Sequence, residues 1–266
     1  MTVDAGGGPG PRTVAITGSA GGIGAATRSR LERDGVRVIG IDVRDAEIEV
    51  DLSTAEGRTA MMALVDIACD GALDGVVAAA GITHDDGARV TAINYFGAVA
   101  TLEGLRPLLA RRPGSTAVAV SSNSTTTQPG IPEALVEACL LGDEAAALAV
   151  AGHGVGAYGA TKLALARWVR RQATGPAWIG SGVRLNAVAP GFIATPMTAG
   201  TEDFIFGLGD IYPIPAGRPG TAEEVAALLA YLLGPDAGFF CGSVLCMDGG
   251  TDAALRADDW PRRLPD

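Results

Sequence analysis

The stretch from residue 13 to residue 33 constrains the fold more than any other. Thr13-Val14-Ala15-Ile16-Thr17 reads as a buried strand and the residues from about 25 to 33 as a helix. Between them lies Gly18-Ser19-Ala20-Gly21-Gly22-Ile23-Gly24, a short turn dominated by glycine. A strand that passes through such a turn into a helix puts free backbone N–H groups at the strand's carboxyl end, where an anion can be held. Gly18 then permits the turn, Gly22 lets the backbone approach a pyrophosphate, and Gly24 lets the helix pack closely. A purely structural glycine turn is the alternative.

The pattern repeats along the chain. Strand candidates follow at 36–41, 48–50, 73–80, 116–120, 183–188 and 243–247, with helices between most of them. Seven strands alternating with helices call for a parallel, doubly wound sheet in a single domain covering about residues 12–252. The 266 residues, 48% of them hydrophobic and 38 of them glycine, suit one large α/β domain. Residues 1–11 are expected to form a loose tail and 253–266 a second tail, for which docking on a neighbouring subunit is one option. No apolar run of about eighteen residues or basic-then-apolar leader is present, so a cytoplasmic protein without a membrane partner is expected. A net charge of −10 at pH 7 works against a polyanion, so no nucleic-acid partner is expected. Cys69, Cys139, Cys241 and Cys246 form no Cys-x-x-Cys pair, and with His84 and His153 as the only histidines no metal site is expected.

Several polar residues fall at strand ends or inside apolar helices. Asp42 ends the second strand 24 positions beyond Gly18, where a carboxylate can accept both hydroxyls of a ribose and repel a 2′-phosphate. Arg44 nearby is the complication, since a guanidinium can accommodate that phosphate. Asp51 and Leu52 end the third strand, placed either to meet an adenine or, for Asp51, to cap the next helix. Gly81 after the fourth strand lets backbone pass close to a ligand. Asn94 sits in an apolar helical run expected from 89 to 111 and needs buried partners, as structural glue or as a catalytic relay. Ser121 and Ser122 follow the fifth strand, as loop residues or as hydroxyls reaching the same crevice.

The chain uses arginine for every basic position but one, and that one, Lys162, follows Tyr158 by four. On a helix the two share a face, so a phenol and a compact ammonium can meet in one pocket. Taken alone, the pair also fits a chance arrangement on a solvated helix. Residues 129–153 before it are expected to form an inserted helical hairpin, with Pro132 at the first position of one helix and Asp143-Glu144 at the start of the other. Residues 196–220 carry Phe204, Ile205, Phe206, Leu208, Ile211 and Tyr212, as expected of a lid over an apolar substrate or of plain packing.

Thr17-Gly18 through Gly24, Ala80-Gly81, Asn94, Ser121-Ser122, Tyr158 to Lys162, Pro190-Gly191 and Asp248-Gly249-Gly250 resemble, in order and spacing, the short-chain dehydrogenase/reductase family. Residues 40–47 running quickly into 51–58, and the long insert before Tyr158, are most similar to its bacterial 3α-hydroxysteroid dehydrogenase/carbonyl reductase type. The resemblance implies a Rossmann-type sheet and NAD as cofactor, held by Gly18, Gly22, Ile23, Gly24, Asp42, Asp51, Leu52, Gly81, Tyr158, Lys162, Pro190, Gly191, Ile193 and Thr195. It implies that Tyr158 exchanges a proton with an alcohol or ketone oxygen and that Lys162 lowers the phenol pKa. It further implies that Ser122 polarises the same oxygen and Asn94 holds a water linking Lys162 to solvent. Two departures stand out: Ala78 and Ala79 replace the family's paired asparagines, and 35 residues separate Ser122 from Tyr158 where the family has fewer. The implied substrate is an apolar secondary alcohol or ketone, a 3α-hydroxysteroid or hydrophobic carbonyl compound first. Another small alcohol, polyol or hydroxyacyl, and a non-catalytic NAD-sensing protein are the alternatives. The family also implies a homo-oligomer, dimer or tetramer.

Overall fold

A computed structural model describes residues 12–260, so the expectations for residues 1–11 and for 261–266 lie outside the described residues. In chain order the elements are β1 (Thr13–Thr17), α1 (Gly22–Arg33), β2 (Arg37–Asp42), β3 (Ile48–Glu49), α2 (Ala55–Ala68), β4 (Gly75–Ala78) and α3 (Gly87–Thr91). A π-helical turn, Ala92–Gly97, joins α3 to α4 (Ala98–Leu109), followed by β5 (Thr116–Val120) and α5 (Ser124–Thr127). Then come α6 (Glu133–Leu141), α7 (Glu144–Val150), α8 (Gly154–Ala173), β6 (Arg184–Pro190), β7 (Ile193–Ala194), α9 (Glu202–Gly207), β8 (Gly220–Thr221), α10 (Ala222–Leu233), β9 (Val244–Met247) and α11 (Thr251–Leu255).

Seven strands form one parallel sheet in the order β3-β2-β1-β4-β5-β6-β9, the doubly wound arrangement expected, while β7 and β8 pair separately. Side chains alternate across it. Val14, Ile16, Val77, Val118 and Val188 pack on one face with Val225, Leu229 and Leu232 of α10. Ala15, Ile39, Ile41, Val76 and Ala117 pack on the other with Met61 of α2, Leu102 of α4 and Leu165 of α8. Because helices cover both faces, the strands are runs of Val, Ile and Ala with no polar side. The strand order reverses between β1 and β4, and ligands of open α/β sheets bind at that crevice, outside the carboxyl ends of the strands. No helix among the described residues is long and apolar enough to cross a membrane.

Two local expectations are corrected. The helix expected from 89 to 111 is interrupted by the π-helical turn, which carries Asn94 into the interior, where it is 0% exposed. An inserted π turn is unfavourable by itself and recurs at functional sites. Pro132 lies one residue before the helix as its N-cap, with α6 starting at Glu133.

The hairpin α6–α7 packs on α8 and α3. Asp143 caps α7 by accepting from Ala146 N at 2.9 Å. Arg58 of α2 reaches across to grip Glu144 with Nη2 at 2.8 and 2.9 Å from the two carboxylate oxygens, and its side chain is only 10% exposed. A buried guanidinium losing this partner, or the carboxylate losing the guanidinium, leaves a charge poorly solvated. With Glu144 one-third exposed, Arg58→Ala is expected to cost about 2 kcal/mol, between the surface and the fully buried limits. Urea unfolding at neutral pH, with the midpoint compared to wild type, checks this.

Candidate active site

The carboxyl ends of β1, β4, β5 and β6 open into a cleft of about 350 Å³. Gly18, Gly22, Ile23, Gly24, Asp42, Asp51, Leu52, Gly81, Tyr158, Lys162, Pro190, Gly191, Ile193 and Thr195 all line it. Glycine is required at its floor. A Cβ on Gly18, which has φ +71°, would lie 2.8 Å from the Ala80 backbone, and one on Gly24 would lie 2.0 Å from the Gly18 carbonyl oxygen. These approaches leave the start of α1 bare, and among the described residues no side chain caps it, so its first amides are available to an anion. The cradle therefore fits the pyrophosphate of a dinucleotide.

At one end of the cleft Asp42 is fixed by two backbone donors, Ala20 N at 3.0 Å and Val43 N at 2.7 Å. The acid is thereby held against the glycine turn. Asp51 accepts from Ser53 N at 2.8 Å, and the hydrogen bonds from Ser53 keep its carboxyl below the usual range. The cap of α2 is Thr54, not Asp51, since the Thr54 hydroxyl accepts from Gly57 N at 3.0 Å.

At the other end stands α8. Tyr158 and Lys162 share one face, and the ammonium lies 5.8 Å from the phenol ring centroid. Lys162 is 4% exposed and donates from Nζ to the Val120 carbonyl at 2.8 Å, while Ser121 Oγ donates to the Lys162 carbonyl at 2.9 Å. Two bonds thus clamp the helix to the end of β5. Burial lowers the Lys162 pKa to about 8. Burial also raises the phenol of Tyr158, and the Ser122 hydroxyl facing it pulls the other way. One of the three ammonium donors of Lys162 is thus used on Val120.

Asn94 and Ser122 stand beside the cleft rather than in its lining. Asn94 Oδ1 accepts from Ile82 N at 2.8 Å and its Nδ2 donates to Ile82 O at 3.0 Å, so the amide braces the chain just past Gly81. A Cβ on Gly81 would sit 3.3 Å from Asn94 Oδ1 and 3.4 Å from Lys162 Nζ, which shows how closely those groups converge.

Of the segment 196–220, expected to be a lid, Pro196, Met197 and Thr198 line the cleft. Its short helical pieces, including α9, bury no residue, and Phe204 and Ile211 are 68% and 73% exposed. Phe206 meets Phe192 edge-on at 6.3 Å between centroids. Arg218 at its far end is paired with Glu224 at 2.6 Å.

Sequence reasoning missed one polar cluster. Asn123, the residue after Ser122, is 3% exposed and is paired both ways with Tyr212: its Nδ2 donates to the phenol oxygen at 2.9 Å, and the phenol donates to Oδ1 at 3.0 Å. The same Nδ2 lies 3.3 Å from Asp248 Oδ2. Each residue neighbours a motif already singled out, but positions 123, 212 and 248 carry no spacing that announces their meeting.

A doubly wound sheet with a glycine cradle, a fixed acid at the end of β2 and a Tyr-x-x-x-Lys pair at the cleft defines a nucleotide-dependent oxidoreductase. The pattern of the NAD dependent epimerase/dehydratase family matches residues 14–191, and that described as Enoyl-(Acyl carrier protein) reductase matches 143–252. The chain is 39% identical over 253 residues to the 3-alpha-hydroxysteroid dehydrogenase/carbonyl reductase of Comamonas testosteroni, covering 91% of this chain and 97% of that protein. It is 30% identical over 269 residues to the cis-4-hydroxycyclohexanecarboxylate dehydrogenase of Sinomonas cyclohexanicum, covering 91% and 97%. The crystal structure of the 3-alpha-hydroxysteroid dehydrogenase of Pseudomonas sp. B-0831 complexed with NADH is similar at TM-score 0.87 and 45% identity, covering 93% of this chain and all of that one. The chain belongs to the short-chain dehydrogenase/reductase family.

The clamp on Lys162 has a measurable cost. Between about 8 and the ordinary 10.5 the unfolded chain holds the lysine proton and the folded protein does not, so this group makes stability rise with pH across that window. The difference in unfolding free energy between wild type and Lys162→Met should be flat below pH 8 and move in favour of wild type from pH 8 to 10.5. Urea titrations of both proteins at a series of pH values check it; subtraction cancels opposing groups such as Cys139, whose thiol burial pushes up to about 12.

Proposed function

We propose that the protein is an NAD-dependent oxidoreductase that interconverts a secondary alcohol and a ketone on an apolar substrate, a 3α-hydroxysteroid or a hydrophobic carbonyl compound first. The observation that carries this reading is that Tyr158 and Lys162 stand together at one end of a cleft whose other end presents Asp42, with the Ser122 hydroxyl against Tyr158. The names of the Comamonas and Pseudomonas relatives support the substrate class.

NAD, when bound, supplies or takes up the hydride. Gly18, Gly22 and the start of α1 hold its pyrophosphate, and Asp42 binds the adenosine ribose and disfavours a 2′-phosphate. Tyr158 Oη gives its proton to the carbonyl oxygen during reduction and takes one from the alcohol during oxidation. Burial that keeps this phenol protonated suits the donating role. Ser122 Oγ shares the same substrate oxygen and fixes its orientation. Lys162 holds the nicotinamide ribose and restores the Tyr158 proton through a water held near Asn94, whose amide also braces the backbone at Ile82. The lid's exposed apolar groups and its paired Arg218 favour an uncharged, apolar substrate. The protein acts in the cytoplasm as a homo-oligomer. The hairpin α6–α7 packs on α8, which obstructs assembly through the long helices and favours a dimer; light scattering should report two chains rather than four.

In a panel assay, NADH formation from steroid and non-steroid alcohols is expected to be greatest with the apolar steroid. Tyr158→Phe should reduce turnover by about 10³-fold, the order supplied by general acid–base catalysis, while NADH binding stays largely intact. Full activity in that variant would sink the mechanism. Asp42→Ala should raise affinity for NADP relative to NAD in a fluorescence titration, and a wild-type preference for NADP would overturn the role of Asp42.

A further inference from the structure

A second tyrosine, Tyr212, ties the apolar segment 196–220 to Asn123, the residue that follows Ser122. Between residues 196 and 211 the short helices of the lid bury nothing. Tyr212 is partly buried, as Ile205 and Leu208 are, but its hydroxyl is paired both ways with the amide of Asn123, which is 3% exposed. Asn123 is itself fixed by its backbone, which donates to the Pro190 carbonyl at 2.8 Å. Its neighbour in the chain is Ser122.

The residues after Tyr212 are seated as well. Ala216 N donates to the Gly249 carbonyl at 3.0 Å, and a Cβ on Gly249 would lie 3.1 Å from the Ala216 Cβ and 3.2 Å from Ile214. Asp248 in the same turn accepts from Gly250 N at 3.0 Å and Asp252 N at 2.8 Å, and its second oxygen faces Asn123. Asn123 is thus held between a fixed carboxylate and the Tyr212 phenol, with no freedom to turn its amide away. Tyr212 marks the boundary between a lid stem docked on glycine and a lid tip with no buried anchor.

Resting on the functional reading given above, we propose that Tyr212 is a positioning residue that sets specificity: its hydroxyl, paired with Asn123, seats the apolar lid tip over the far end of a large substrate whose oxygen lies at Tyr158 and Ser122. Burial first, and then the neighbouring Asp248 and Tyr158, raise the Tyr212 phenol, so it remains a donor at neutral pH. A substrate long enough to reach Phe204, Phe206 and Ile211 gains from a seated lid. A one-ring alcohol, held only at its oxygen, does not.

Tyr212→Phe removes the hydroxyl and keeps the ring. Loss of one buried hydrogen bond, about 1 kcal/mol or slightly more, predicts a KM for a 3α-hydroxysteroid raised by about tenfold with kcat within about twofold. The KM for cyclohexanol should stay within about twofold. Limited chymotrypsin digestion, followed by mass spectrometry at Phe204 and Phe206, should cut the lid several-fold faster than in wild type. Asn123→Ser approaches the same bond from the other side and should reproduce both effects. The double variant should add little, because the two groups make one interaction. The exposed Tyr231→Phe serves as the control and should match wild type in every measurement. Unchanged steroid KM with unchanged lid cleavage would overturn the proposal, as would an equal rise in KM for steroid and cyclohexanol. Should the wild type turn over neither alcohol, the functional reading fails by itself and the digestion decides on Tyr212: faster cleavage in Tyr212→Phe supports the tether, and unchanged cleavage removes it.

Discussion

The catalytic end of the protein depends on one buried contact, the Lys162 ammonium on the carbonyl that ends β5. Placing a charged lysine at 4% exposure is costly, and the lowered pKa is the measure of that cost. The structure offsets it with geometry. The Val120 carbonyl, at the last position of a central strand, has no further strand residue to pair with and is free to accept. Ser121 returns a bond to the backbone of the same lysine, so strand end and helix hold each other at two points. An arginine could not make this contact, because its broad fork would not fit where a point charge does.

From that clamp the rest of the site follows. Tyr158, one turn earlier on α8, is carried to the mouth of the cleft, and Ser122, two residues beyond Val120, is carried to face it. Asn94 reaches the same neighbourhood only because the helix before α4 takes a π turn, spending both amide groups on Ile82. The opposite end is built by different means: two glycines without side chains bring β1, β4 and α1 together, and Asp42 is oriented by backbone donors. Strand ends and the helix clamped to one of them therefore carry the groups expected to do chemistry. Chemistry of this kind tolerates little displacement.

Of the segments around these groups, the hairpin is anchored in the core by Leu135, Val136, Cys139 and Ala147, all 0% exposed, whereas the short helices of 196–211 bury no residue. The hairpin α6–α7 is held to α2 by the Arg58–Glu144 pair, and the lid presents phenylalanine and isoleucine to solvent. Segments with few buried contacts open at low cost, and binding loops are drawn from them. The groups around Tyr158 and Lys162 are thus held by buried bonds, and the segment 196–211 is left largely exposed.

Strand and helix alternation, the glycine turn, Asp42 and the Tyr158–Lys162 spacing were all legible in the chain, because each is a local pattern whose chemistry depends on residues a few positions apart. The sheet order and the set of residues around the cleft were implied by those patterns through resemblance to a family. The π turn was not legible: a helix that gains one residue in a turn leaves the apolar period almost unchanged, so Asn94 read as a polar residue in an ordinary helix. Nor was it visible that Lys162 would donate to the Val120 carbonyl, or that Asn123, Tyr212 and Asp248 would meet. The sequence by itself determined the elements, the glycine turn and the placing of Tyr158 and Lys162 on one helix face. Only the tertiary structure decided what each polar group is bonded to, because a hydrogen bond between positions 123 and 212 depends on how β5, β9 and the lid stem pack, and no local spacing encodes that.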